Sequence, residues 1–342
     1  MFFGSDNTAK VTPEVMAAVI AANDGYASSY GGDALTASVC DTIRDIFEAP
    51  EAAVYFVTTG IAANALSLAT LTPSWSAIFC HDHAHIHEAE CGAPEFYSGA
   101  KVIPVAGDDG RIAPEALSAR FRAMEGDRIR ALQFGVLSLT NATEAGSVYC
   151  PAQVRALTAL AKAEAMPSHM DGARFANAVA ATKASPADLT WRAGIDALSF
   201  GGTKNGCMGV EAVILFDPAK AVEFEVRRKR AGHTLSKNRF LAAQMQGYLH
   251  DGLWLTRAAH ANDMAAELAS VVRDAEDLRL IHPVEANILF IEGPSGFYAK
   301  LRAAGIACYD YPAPEGRDAL RLVTSWATTA EDIATLSQLL AA

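Results

Sequence analysis

Three short segments carry residue types that could together serve one aromatic phosphate cofactor. In Ser199-Phe200-Gly201-Gly202-Thr203-Lys204-Asn205-Gly206 a lysine sits in a glycine-rich, uncharged stretch after an apolar run. A desolvated lysine has a lowered pKa and becomes nucleophilic towards an aldehyde. Thr203 beside it could reach a phosphate. In His169-Met170-Asp171-Gly172-Ala173-Arg174 a carboxylate ends a short apolar run. Placed against a protonated pyridine nitrogen, it would keep such a ring an electron sink. Arg174, three residues on, has the planar fork that grips a carboxylate. In Thr58-Thr59-Gly60-Ile61-Ala62-Ala63-Asn64 a strand passes into a helix. The free N–H groups of a helix start bind phosphate, Gly60 lets the backbone approach it, and Thr59 adds a hydroxyl. Each segment alone has a plainer reading: a strand–helix turn, a local Asp–Arg ion pair, a surface lysine. Their order along the chain, each after a strand, favours a cofactor lysine at 204.

The elements that must position these residues follow from the pattern of apolar runs. Short strands are expected at Ala53–Val57, Ala77–Cys80, Lys101–Val105, Ala131–Leu139, Ser168–Met170, Ala197–Ser199 and Val210–Phe216. Helices at Ile61–Leu71, Pro114–Met124 and Pro151–Ala165 fall between some of them. This alternation implies an α/β fold, a mainly parallel sheet with helices on both faces. Ligands in such sheets sit beyond the carboxyl ends of the strands. Before the sheet come a helix from about Pro13 to Asn23, capped by Thr12, a loop at Gly31-Gly32-Asp33, and a helix at Thr36–Phe47. A long helical region follows Ala219. Then comes a smaller α+β unit: helix Met264–Ala275, strand Asn287–Glu292, helix Gly296–Ala304, strand Ala319–Val323 and helix Ala330–Leu340. The expected division is 1–250 for the N-terminal segment and large domain and 251–342 for the small one.

Composition narrows the partners. Apolar residues make up 51% of the 342 residues, enough for a sizeable core. The net charge of −11 argues against a nucleic-acid partner, which needs a positive field. Arg227-Arg228-Lys229-Arg230 is a local exception, read as a solvated helix face or as an anion contact at a subunit boundary. The six cysteines show no CxxC spacing and read as reduced thiols. The beginning shows no secretory pattern, and no apolar stretch reaches the roughly 18 residues of a membrane span. A cytoplasmic protein without a membrane or nucleic-acid partner is expected.

Together, Ser5-Asp6-Asn7-Thr8, Thr59-Gly60-Ile61-Ala62-Ala63-Asn64, Ala84-His85-Ile86, Asp171-Gly172-Ala173-Arg174 and Thr203-Lys204 resemble the low-specificity L-threonine aldolases. These are pyridoxal-phosphate enzymes of the aspartate-aminotransferase fold, also called fold type I. The resemblance runs from near residue 5 to near 330. It implies a large domain with a seven-stranded sheet. It also implies reversible retro-aldol Cα–Cβ cleavage of β-hydroxy-α-amino acids, of the L-threonine, L-allo-threonine and phenylserine type, to glycine and an aldehyde. By position, Lys204 matches the Schiff-base lysine, Asp171 the partner of the ring nitrogen, and Thr59, Gly60 and Ile61 the phosphate turn. His85 matches the imidazole stacked on the ring and is grouped with Lys204 and Asp171 as catalytic. Ser5, Arg174 and Arg321 match groups holding the substrate carboxylate. Tyr30 matches an aromatic residue lent across a subunit interface, and Arg228 a phosphate contact from a neighbouring subunit. A homodimer or homotetramer with shared active sites is implied.

The chain departs from that family at one point. Many members carry a second histidine near the substrate hydroxyl, in an Asn-Thr-His-like segment. Here the segment is Leu139-Thr140-Asn141-Ala142-Thr143-Glu144, with Thr143 or a neighbour in that slot. Threonine is not a general base near neutral pH, so His85, His87 or a bound water is left to take the proton. Two other readings stay open. On the same fold, β-elimination, transamination or serine hydroxymethyl transfer would need only a different bond across the ring, and a silent scaffold would need no reaction. From another class, His81, His83, His85 and His87 alternate; on a strand they would share a face. With Asp82 and Glu88 nearby they would suit a metal-dependent hydrolase. No metal site is expected on the aldolase reading.

Overall fold

The computed structural model describes residues 1–124, 126 and 129–341. Its main sheet has seven strands: β1 (Ala53–Val57), β2 (Ser76–His81), β3 (Lys101–Val105), β4 (Gln133–Thr140), β5 (Ser168–Gly172), β6 (Ala197–Gly201) and β7 (Glu211–Leu215). Their order is β1-β7-β6-β5-β4-β2-β3. The run from β3 to β6 is parallel, and β7 is antiparallel to both β1 and β6. Every residue of β2, β5, β6 and β7 is buried. Helices cover both faces, which is why these strands read as near-continuous apolar runs. Alternate residues feed two cores. Phe79 and Ile214 join one with Met170 and Phe200, while Ile78 and Val213 join the other with Val136 and Leu66.

A second sheet contains β8 (Arg279–Leu280), β9 (Ile288–Pro294), β10 (Tyr309–Tyr311) and β11 (Arg317–Val323), in the order β10-β11-β9-β8, all antiparallel. Its core joins Leu289, Ile291, Leu320 and Leu322 to Leu268 and Val272 of the helix Leu253–Asp274. That helix begins well before the expected Met264. Its first turns pack on the helix Phe175–Thr182 of the main sheet, which the sequence reading did not mark.

The N-terminal segment is tied to the second sheet. The Phe3 N–H donates to Ala307 O at 2.8 Å, and the Val323 N–H donates to Phe3 O at 2.7 Å. These two bonds lead Ser5 and Asp6 from β11 towards the end of β5. The histidine segment does not form the strand that a shared face requires. Only His81 belongs to β2; the chain then turns, with the His83 N–H donating to His81 Nδ1 at 3.1 Å, and His85–Glu88 is a short helix. No helix among the described residues is long and apolar enough to cross a membrane.

Candidate active site

The carboxyl ends of β1, β4, β5 and β6 surround a cavity of about 330 Å³. Because β7 runs antiparallel, its first residue, Glu211, faces the same opening. After β1 the chain enters the helix Gly60–Leu71, whose N-cap Thr59 accepts from the Ala62 N–H at 3.2 Å. The first N–H groups of a helix have no partner within it, and here they belong to Gly60 and Ile61 at the cavity wall. A Cβ added to Gly60 would meet nothing within 4 Å, so open space lies over this helix start.

Across the cavity, Lys204 sits in a single 3₁₀ turn, Thr203–Asn205, directly after β6. The turn is pinned on both sides. The Val210 N–H donates to Thr203 Oγ1 at 3.2 Å, and Asn205 Nδ2 donates to Tyr248 OH at 3.1 Å and Trp254 O at 2.8 Å. Gly206 closes it with φ of +112°, a left-handed value that favours glycine. Burial and the nearby Arg174 charge lower the Lys204 pKa. Glu211 beside it, whose Oε2 accepts from the Gly202 N–H at 2.8 Å, is pushed up to about 7 by burial.

Asp171 lies within β5 and is buried. Its Oδ1 accepts from the Ala173 N–H at 2.9 Å and its Oδ2 from Asn64 Nδ2 at 2.8 Å. The same Asn64 nitrogen donates to Glu90 Oε1 at 2.9 Å, and Glu90 Oε1 stands 2.9 Å from His85 Nδ1. A buried chain of hydrogen bonds thus links Asp171 to the imidazole of His85. The Glu90 contact raises the His85 pKa.

Arg174 holds Asp6 in a fork, Nε to Oδ2 at 2.7 Å and Nη2 to Oδ1 at 2.9 Å. Asn287 Nδ2 adds a third bond to Asp6, at 3.1 Å to Oδ2. Burial raises the Asp6 pKa, but Arg174, Lys204 and these hydrogen bonds outweigh it, and the carboxyl ends below its ordinary value.

A second cavity, of about 700 Å³, adjoins the first and shares His85 and Glu144 with it. Arg321, Tyr309 and Tyr311 line it from the second sheet, with His282 from the loop after β8, His81 from β2 and His83 from the turn after it. Arg321 lies over the Tyr309 ring at 5.4 Å and donates from Nη2 to Gly4 O at 3.1 Å; its Nε has no partner among the described residues.

The chain is similar to proteins already known. The beta-eliminating lyase family model covers residues 3–292. The chain belongs to that family. Two proteins named low specificity L-threonine aldolase, from Pseudomonas sp. (strain NCIMB 10558) and Pseudomonas aeruginosa, are each 41% identical to it. The first alignment covers 95% of this chain and 93% of the relative, the second 98% and 96%. A solved structure of Leishmania major threonine aldolase superposes with a TM-score of 0.93 at 25% identity, over 99% of this chain and 98% of that one. The architecture is fold type I, an α/β fold with a mostly parallel seven-stranded sheet.

Within this family frame, the structure gathers most of the residues singled out from the sequence. Thr59, Gly60, Ile61, His85, Asp171, Arg174, Thr203 and Lys204 all line the first cavity, and Arg321 lines the second. Thr203 engages Val210 through its hydroxyl, so it braces the lysine turn. Ser5 lines neither cavity; its Oγ accepts from the Asn7 N–H at 3.2 Å, and Asn7 reaches the wall instead. Tyr30 lies on the exposed surface with Lys229 Nζ 4.7 Å over its ring.

Arg228 is turned inward, stacked on Tyr55 at 4.9 Å with Nη1 donating to Phe56 O at 3.3 Å, and it lines neither cavity. Thr143 is buried, with Oγ1 2.9 Å from Ser147 Oγ and donating to Asp109 O at 3.2 Å, so it braces a loop. His87 is exposed and lines neither cavity. Among the described residues no three His, Cys, Asp or Glu side chains form a metal-holding group.

Asp6, Asn64, Glu90, Glu144 and Glu211 join the site without a role legible in the sequence. Asp6 and Asn64 stood in quoted motifs, and their polarity beside Thr59-Gly60 and Ser5 was the available signal. For Glu211 the only signal was a lone carboxylate opening an apolar run.

Proposed function

We propose that this chain is a pyridoxal-phosphate-dependent aldolase that cleaves β-hydroxy-α-amino acids to glycine and an aldehyde. The observation that carries the reading is the convergence, in one cavity, of a pinned low-pKa lysine, a doubly anchored aspartate and an open helix start, in a chain 41% identical over nearly its whole length to low specificity L-threonine aldolases.

The residues fit the cofactor. Open space over Gly60, which a Cβ would enter freely, suits a phosphate on the Gly60 and Ile61 N–H groups, with the helix dipole favouring the anion. Asp171 suits a ring nitrogen: its two hydrogen bonds fix its rotamer and leave a buried negative charge that keeps a proton on that nitrogen. Held at Nδ1 by Glu90, the His85 imidazole lies at the wall where a ring would stack. Lys204, with its amine shifted towards the neutral form by burial, would hold the cofactor through its aldehyde. When bound, pyridoxal phosphate supplies an electron sink for the bond broken at the amino acid's α-carbon.

The chain's own residues choose that bond. Arg321 is the freer guanidinium, and Arg174 is committed to Asp6 through two of its nitrogens. A substrate carboxylate gripped by Arg321, with the remaining Arg174 nitrogen, fixes the torsion about Cα and sets Cα–Cβ for cleavage.

A homodimer or homotetramer with shared sites completes the reading. Tyr26, Tyr30, Phe96, Val222 and Val226 are exposed apolar side chains, a surface of the kind that partners cover. Tyr30 is the residue lent to a neighbouring site. We also propose the division at 250/251, with the helix Leu253–Asp274 opening the smaller unit.

The test is direct. L-Threonine, L-allo-threonine and phenylserine are supplied to the holoenzyme, and glycine and aldehyde are measured. Equal amounts of both products support the aldolase. A keto acid with no aldehyde contradicts it.

A further inference from the structure

The proton on the substrate's β-hydroxyl needs an acceptor, and Thr143, in the slot where a histidine is expected, is buried away from the cavity. From the geometry at the seam of the two cavities we infer that Glu144 is the catalytic base that takes the β-hydroxyl proton during Cα–Cβ cleavage. The inference rests on the aldolase reading above and assigns to it the one group the sequence left open.

Glu144 and His85 are the two side chains that line both cavities. A β-hydroxy amino acid with its nitrogen at Lys204 and its carboxylate at Arg321 has to straddle that seam. Glu144 is held at one oxygen by the His85 N–H, and the Thr140 hydroxyl lies close to its carboxyl. Its Oε1 accepts the His85 backbone N–H at 2.7 Å, while Oε2 is buried with no hydrogen-bond partner among the described residues. A buried, unpartnered carboxylate oxygen is costly, and at a cavity wall a substrate hydroxyl can satisfy it.

The neighbouring imidazoles are tied down through one or both ring nitrogens. Both His81 ring nitrogens are occupied, Nε2 at Gly107 O and Nδ1 at the His83 N–H. His83 pairs with Glu88 and His282 with Asp109. Glu90 also has a free oxygen, but it lies behind the imidazole and lines only the first cavity.

Electrostatics places the group in the working range. Burial, reinforced by the Asp171 charge, pushes Glu144 up to about 7, against the pull of the His85 N–H and of Thr140. His83, Cys80 and Tyr149 also lie within its electrostatic reach. Catalytic bases work best with a pKa near the operating pH.

The step balances. The proton passes from the β-oxygen to Glu144 Oε2, and the O–H electron pair forms the second bond of the aldehyde carbonyl. The Cα–Cβ pair stays with the glycyl carbon. In the reverse direction the Glu144 acid returns the proton to the new alkoxide.

The experiment compares wild-type holoenzyme with Glu144→Gln, which keeps the oxygen facing the His85 N–H and removes only the basicity. Cleavage of L-threonine is expected to lose about a hundredfold or more in kcat. The limb along which wild-type activity rises with pH through about 7 should vanish with it. Two readouts involve no β-hydroxyl and should stay within about threefold: the dissociation constant of glycine, followed by cofactor absorbance, and exchange of the glycine α-hydrogen in D₂O, followed by NMR. Infrared pH titration should show the protonated-carboxyl bands of both Glu144 and Glu211 near pH 7 in the wild type and only that of Glu211 in the variant.

A Glu144→Gln kcat within about threefold of wild type overturns the assignment. So does a parallel loss of glycine binding and exchange, which makes Glu144 a positioning residue. If Glu144→Gln fails to fold, Glu144→Asp decides: lowered kcat with unchanged glycine affinity supports the base, unchanged kcat overturns it. Wild-type enzyme releasing no aldehyde from any β-hydroxy amino acid sinks the aldolase reading itself, a separate outcome.

Discussion

Asp6 and Arg174 hold each other through two hydrogen bonds, with side chains only 2% and 11% exposed. Removing one partner of a buried ion pair leaves the other charge uncompensated, at a cost of about 3–5 kcal/mol. Asp6→Asn is therefore expected to lower stability by about 3 kcal/mol in urea unfolding. It should also weaken substrate binding, because Arg174 is no longer held in place. The pH dependence follows from the lowered Asp6 pKa. The pair contributes stability above the ordinary aspartate range and loses it as pH falls through the lowered folded-state value. Wild type should therefore lose stability on acidification more steeply than Asp6→Asn, as measured by unfolding at a series of pH values. The lysine, the aspartate at 171 and the arginine at 174 were legible in the sequence because each lies at or just past the end of a strand and has one distinctive chemistry. Asp6 was not, because its partner lies 168 residues away and only the N-terminal clamp at Phe3 brings them together.

The phosphate turn shows what an element contributes. Gly60 is the first residue of a helix that is almost wholly buried from Ala62 onward, and an added Cβ there meets nothing. Alanine is the better helix former. Gly60→Ala should therefore leave the apoprotein at least as stable as wild type, by thermal unfolding. The same methyl enters the space over the helix start, so cofactor affinity should fall about tenfold or more, an effect of the size expected when an anion loses close backbone approach. A variant that binds the cofactor as tightly as wild type would contradict the phosphate assignment. Elements of this kind were legible: β1, β3 and the helix Pro114–Met124 match their expected bounds. The histidine segment misled, because alternation of one residue type carries no information on where a strand ends. The chain leaves β2 at His81, and a side chain–backbone bond there starts the turn. The short β8 and β10 were missed for a related reason. Two- and three-residue strands with exposed or half-buried residues leave no periodic trace.

At the scale of the whole molecule, the second sheet completes the site. Arg321 of β11, Tyr309 of β10 and His282 between β8 and β9 line the outer cavity, together with His81 at the end of β2. Glu285 ties the two units together, accepting from Arg111 Nη1 at 2.9 Å and from the Val148 N–H at 2.7 Å. Glu144 follows from the same packing: its function as a base depends on a seam between cavities that no local pattern encodes. The exposed Tyr26, Tyr30, Phe96, Val222 and Val226 are expected to be covered in an oligomer. Sedimentation at micromolar protein should give a dimer or tetramer, and a monomer with full activity would contradict shared sites.

The central claim is that Lys204 carries the cofactor, and its most direct measurement is chemical. The yellow holoenzyme is treated with borohydride, digested, and its peptides are mapped by mass spectrometry. The account predicts loss of the visible band and a pyridoxyl-phosphate mass increment on the peptide containing Lys204, and on no other lysine. An increment on a different lysine, or none on a protein that has lost its colour, would contradict it.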